Sequence, residues 1–236
     1  MPYLVYRWFL VLLLSWLVQS VQAQNQDTYR LEIGGGLGTS FYLGDVNSRL
    51  YALNSVSVAA QLRFIIHSRA ALKVELSRVG LKGNTAKVKS FFPANVQSGA
   101  VSTIPLHYDF SSAAYSLATL YELHFLPYGY YRSYQGFSRL VPYLQGGLAL
   151  NYGVQDKVFF PSIPLGVGLK YKVSPRLNLG FDWLVHFTTS DRLDGLNGPH
   201  GVSSQGFKNK DHYITTRFTL TYDIAPHCST CNKDNR

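Results

Sequence analysis

The residues with chemical capacity in this chain are its carboxylates, histidines, serines and one pair of cysteines. Hydrolysis of a membrane lipid would need a serine and a histidine on the lipid-facing side of a strand, within hydrogen-bond reach of each other. His124 and His186 instead share a strand face with Glu122 and Asp182 by parity, so they read as members of a buried hydrogen-bond network. No Ser–His pair follows from spacing, and the seven histidines form no HxH or HxxxH set, so neither a catalytic site nor a metal or other cofactor is expected. The run Gly34, Gly35, Gly36, Gly38 opens no helix, which excludes a phosphate-binding loop; its glycines permit strong curvature or close packing. Cys228 and Cys231 form a C-x-x-C after Pro226. An intramolecular disulfide, a thiol tether to a partner and a two-cysteine zinc site all fit that spacing, while a thioredoxin-type centre would need an α/β surround that this tail lacks.

The elements that position these residues are strands. Alternation of period two recurs eight times, as in Val56, Val58, Ala60, Leu62, Phe64 and Ile66 against Ser55, Ser57, Ala59, Gln61 and Arg63. The pattern predicts an all-β fold, an eight-stranded antiparallel transmembrane β-barrel with a filled lumen. One face is bulky and apolar, with Tyr29, Phe41, Phe125, Tyr143, Tyr152, Phe187 and Tyr222 near strand ends in the places of aromatic girdles. The other face is rich in Gly, Ala and Ser with one or two charges per strand, which suits a narrow interior better than a water-facing surface. An eight-stranded barrel is only wide enough for its own side chains. Arg30, Arg63, Lys73, Lys170, Lys172 and Arg217 are expected to pair there with Glu32, Glu75, Glu122 and Asp182, making an ion-pair plug rather than a channel. The expected connections are short on one side and long on the other, with Lys82 to Asp109 and Thr189 to Asp211 outside the cell and tight turns in the periplasm. Pro127 to Arg139 breaks that rule, and its Tyr128, Tyr130, Tyr131 and Tyr134 are placed in the headgroup region or against a periplasmic partner.

Arg7, the apolar run Trp8 to Val18 and the small-residue exit at Val21 and Ala23 predict a signal peptide over 1–23. A barrel over 24–225 and a periplasmic tail over 226–236 follow. The chain is 46% hydrophobic and 15% charged, against about a quarter charged in ordinary globular domains. Its net charge of +9 fits anionic lipid or an acidic partner, whereas the scatter of the basic residues and the expected export speak against nucleic acid.

A set of ordered motifs resembles one family. Glu32 to Gly38 leading to Tyr42-Leu43-Gly44-Asp45, Tyr121 to Tyr128, Pro142-Tyr143 and Gly166 to Tyr171 are similar to the DUF6089 outer-membrane barrels of Bacteroidota. Thr188 to Asp194 resembles the family's T-x-x-D-Y-L-D loop through Asp191 and Asp194, with Arg192 where a tyrosine is usual. The resemblance, to PorG-like members above all, implies an outer-membrane, multi-pass barrel of the type IX secretion and gliding apparatus. It would work without enzymatic activity beside a periplasmic ring of PorK- and PorN-like proteins. The alternatives are a lipid-modifying outer-membrane enzyme and a surface adhesion or ligand-binding barrel.

Overall fold

The computed structural model describes residues 28–44, 50–51, 53–84, 109–129, 136–154, 157–189 and 211–227. Eight antiparallel strands close into a barrel in which every strand lies beside its sequence neighbours. They are β1 (Thr28–Leu43), β2 (Ser55–His67), β3 (Ala70–Asn84), β4 (Asp109–His124), β5 (Leu140–Gly153), β6 (Val158–Lys172), β7 (Leu177–Thr188) and β8 (His212–His227). The architecture read from the alternation is the one found. Strands of 12 to 16 residues exceed the roughly 9–11 needed to cross a bilayer.

Register follows from the two faces. In β2 and β3, Gln61 pairs with Glu75 and Arg63 with Lys73 on the inside, while Leu62 pairs with Val74 and Phe64 with Leu72 on the outside. A slip of one residue would put each charge on the apolar wall, so the pattern specifies one register. The outer wall is a continuous apolar belt: Leu37, Val56, Leu76, Leu117, Leu148 and Phe218 are each more than half exposed.

Several boundaries differ from the sequence expectation. β3 runs to Asn84, so the long β3–β4 connection begins at residue 85 rather than Lys82. β5 ends at Gly153 and β6 begins at Val158, so only four residues separate them in sequence, a second exception to the alternation of turn lengths. Lys157 there takes the left-handed conformation at φ 54°. β8 continues through Pro226 to His227, past the expected start of the tail. The expected signal peptide, Asp45, Tyr130, Tyr131, Tyr134, Asp191, Asp194, Cys228 and Cys231 lie outside the described residues.

β1 lies against β8 where the barrel closes, and its glycines let the two backbones approach. A Cβ built at Gly38 would land on the Thr216 carbonyl oxygen and 2.6 Å from the Arg217 Cα. Gly38→Ala should therefore lower the urea midpoint of the micelle-bound barrel, at a cost on the order of 1–3 kcal/mol from overpacking. Gly153, whose Cβ would stand 3.6 Å from the Phe160 ring, is the matched comparison. Gly153→Ala should shift the same midpoint by no more than about 0.5 kcal/mol, and equal shifts for the two would refute the close-approach account.

Candidate functional site

The lumen is where the polar chemistry converges. Arg63 on β2 is 2% exposed and bridges two carboxylates, Glu32 Oε2 at 2.6 Å and Glu122 Oε2 at 2.8 Å. Lys170 Nζ closes on the other Glu32 oxygen. Lys73 Nζ donates to Gln145 Oε1 at 2.6 Å and lies 3.4 Å from both Glu122 and Asp182. Tyr143 and Gln145 donate in turn to Asp182 Oδ1. Arg217 Nη2 reaches Glu75 Oε1 at 2.5 Å. A charge out of water is tolerated only when paired and hydrogen-bonded, and several of the partners here come from strands that are not neighbours, β3 with β7, β8 with β3 and β6 with β1. The network is thus a set of struts across the interior.

The structure brings together nine of the ten charges assigned to the lumen and leaves out one. Arg30 has the inward parity but is exposed near the start of β1. Asp223 takes a place the sequence reading did not give it, 2.5 Å from Lys172 Nζ and accepting from Asn178 Nδ2 at 2.6 Å. Its signal was present, since it continues the inward series Arg217, Thr219, Thr221 of β8.

Of the aromatics placed in the girdle, one lies on the other face and one is on the expected face but covered. Tyr143 is 1% exposed inside the lumen, as the parity of Gln145 requires. Phe41 faces outward but is covered, its ring 4.4 Å from that of Tyr51. Tyr51, left-handed at φ 59°, folds onto the outer wall, where its hydroxyl accepts from Trp183 Nε1 at 3.2 Å and meets Thr216 Oγ1 at 3.1 Å.

The two ends of the lumen are sealed differently. At the end carrying the long loops, inward positions turn apolar: Tyr42, Val79, Leu81, Phe110, Ala114, Phe160 and Tyr213 pack together. In β3 the outward positions become Arg78 and Lys82 over the same stretch, so the alternation inverts as the strand leaves the apolar belt. The Tyr42 hydroxyl donates to Asp211 in this cluster. Gly44 covers that pair, for its Cβ would land on the Tyr42 hydroxyl and 2.5 Å from Asp211 Oδ1. At the end carrying the tight turns, Tyr128 folds inward. Its hydroxyl donates to Asn178 Oδ1 at 2.6 Å and its ring lies 4.2 Å from Lys170 Nζ and 5.0 Å from Lys172 Nζ. Burial and the nearby carboxylates raise its phenol far above the usual range. Tyr128 was expected to face a partner or the headgroup layer; it is a stopper instead, held by two cation–π contacts.

His124 and His186 are buried in the lumen, away from the outer wall on which a lipid hydrolase would need them. His124 lies 3.5 Å from Glu122 and His186 stacks on Tyr213 with centroids 4.2 Å apart. Among the described residues no group of three or more His, Cys, Asp or Glu side chains is placed to hold a metal ion. A lumen so arranged can brace and seal the barrel.

A family model described as "Domain of unknown function (DUF6089)" matches residues 6–233. No curated protein matches the chain. Among solved structures, the Neisserial surface protein A is similar at 13% identity and a TM-score of 0.47, over 82% of this chain and 97% of that one. The attachment invasion locus protein of Yersinia pestis, Ail, in complex with a heparin analogue, is similar at 10% identity and 0.46, over 83% and 99%. The N-terminal barrel domain of Pseudomonas aeruginosa OprF is similar at 12% identity and 0.44, over 84% and 100%. At this distance none of them speaks to a ligand or partner.

The strut account makes a prediction about Arg217 and Glu75. Glu75→Leu strands a buried guanidinium and should destabilise the barrel by about 3–5 kcal/mol, whereas adding Arg217→Met should recover most of that loss. Urea unfolding of the three proteins in the same micelles reads it. A double variant no more stable than the single one would show that the pair braces nothing.

Proposed function

The chain belongs to the DUF6089 family, and from that premise we propose that it is a non-enzymatic outer-membrane barrel anchoring a periplasmic ring complex of the type IX secretion and gliding machinery. The observation that carries this reading is the occupied lumen. Buried struts and a tyrosine stopper fill the space through which a pore would conduct and in which a small ligand would sit. What remains for function is the wall and the two ends. The wall is an apolar belt of the kind that faces lipid, with the tight turns and the ends of β1 and β8 on one side. In this reading that side faces the periplasm, and PorK- and PorN-like ring proteins are its partners. The C-x-x-C at Cys228 and Cys231 follows β8 in sequence and would offer a tether.

The test is crosslinking in native outer membrane, with mass spectrometry under reducing and non-reducing conditions, paired with deletion of the chain. The expected result is recovery of a periplasmic ring component and loss of cargo secretion. Intact secretion with no ring component recovered would overturn the reading. A partner seen only under non-reducing conditions would assign Cys228 and Cys231 to the tether.

A further inference from the structure

The interior network has a consequence for the exterior. Among the described residues every carboxylate except Asp109 is buried. The exposed cations among them are Arg30, Arg69, Arg78, Lys82, Arg139, Lys157 and Arg176, so the exposed charge of the described residues is almost purely basic. Four of these seven lie at the tight-turn end, all four are arginines, and Asp109 lies at the opposite end. Arginine is the side chain whose planar fork matches a phosphate.

One of the four is held in place. Arg176, in the β6–β7 turn, donates through Nε to the Tyr29 hydroxyl at 2.9 Å and through Nη1 to the Tyr222 hydroxyl at 3.4 Å. Its guanidinium lies 5.4 Å from the centre of the Tyr29 ring. Two of its five N–H hydrogens are thereby used, and the others are available to a ligand. Directly along the wall from it, Leu179 and Leu220 pair as neighbours on β7 and β8, each about half exposed. A fixed cation between two phenols, above an apolar strip, has the layout of a lipid headgroup over its acyl chain.

We propose that Arg176, positioned by Tyr29 and Tyr222, binds the phosphate of a glycerophospholipid, with an acyl chain lying along Leu179 and Leu220. The assignment rests on the reading of the barrel as membrane-spanning. It adds a lipid site at the tight-turn boundary of the belt, where the headgroups of the inner leaflet would lie. The mechanism is charge-assisted bidentate hydrogen bonding, which a lysine cannot reproduce. An exposed arginine left mobile would make a weak site, because fixing its side chain would oppose binding; the two phenols meet that cost beforehand.

The test is titration of the full-length protein in detergent micelles with dioleoyl phosphatidylglycerol, read by native mass spectrometry as the lipid-bound fraction. Arg176→Gln should weaken binding roughly tenfold, the size of one charge-assisted hydrogen-bonded contact. Arg176→Lys should lose most of the same affinity, and the Tyr29→Phe, Tyr222→Phe double variant should fall between the two extremes. Lys82→Gln, at the far end, should bind as the unaltered protein does. Heat-modified mobility on gels identifies folded barrels, and only folded material is scored.

Unchanged binding by Arg176→Gln would overturn the site, as would an equal loss in Lys82→Gln, which would mean unspecific charge attraction. Displacement of the lipid by a glutamate-rich peptide of equal affinity would overturn it in favour of an acidic protein partner. Flotation with phosphatidylethanolamine–phosphatidylglycerol vesicles separates the two layers of the argument. Insertion with unaltered lipid affinity in Arg176→Gln removes the phosphate site alone, whereas failure of the unaltered protein to insert removes the membrane reading and the site with it.

Discussion

Everything in this barrel depends on the pairing of charges in its interior. Lys73 has no exposed surface, yet its ammonium lies within 3.8 Å of Glu75, 3.4 Å of Glu122 and 3.4 Å of Asp182. Uncompensated, such a group would cost several kcal/mol, so any arrangement that separates it from its carboxylates is strongly disfavoured. The partners sit on β3, β4 and β7, and the pairing therefore fixes strand register and barrel closure together. The apolar belt alone would not do so, because two registers separated by two residues present the same faces.

The same charges impose a volume constraint. An eight-stranded barrel leaves an interior only as wide as its side chains, and two arginines, three lysines and several tyrosines are large. Space is released by inward glycines. The Tyr143 ring, whose hydroxyl donates to Asp182, occupies the position that a Cβ on Gly168 would take. Across the β1–β8 seam Gly38 leaves room for the backbone of Arg217, whose side chain then reaches Glu75. Large and small residues face each other across the lumen for the same reason as in a packed core.

How far the sequence discloses this arrangement depends on the range of the interaction. Strand number, face assignment and nine of the ten lumen charges were legible because parity is a local property that recurs every second residue. Arg30 escaped because parity carries no information about height. It gives the direction of a side chain but not whether the position is enclosed. Asp223 was missed for the complementary reason, a charge that keeps parity close to the end of the last strand. Tyr128 was misplaced because a loop has no period, and its inward turn is set by Lys170, Lys172 and Asn178, more than forty residues away. The apolar cluster at the long-loop end could have been read from β3, where Val79 and Leu81 take the inward positions as Arg78 and Lys82 take the outward ones.

The division of charge between inside and outside is the final consequence. The chain carries 22 lysines and arginines against 13 carboxylates, and the lumen takes up carboxylates and cations in similar numbers. Among the described residues that leaves seven exposed cations against one exposed carboxylate, so a balanced interior goes with a basic exterior. That exterior attracts anionic surfaces over roughly one Debye length, about 8–10 Å at ordinary ionic strength. Among the described residues four of the five exposed arginines lie at the tight-turn end, so the filled lumen and the anionic surface that end would face are two results of one charge balance.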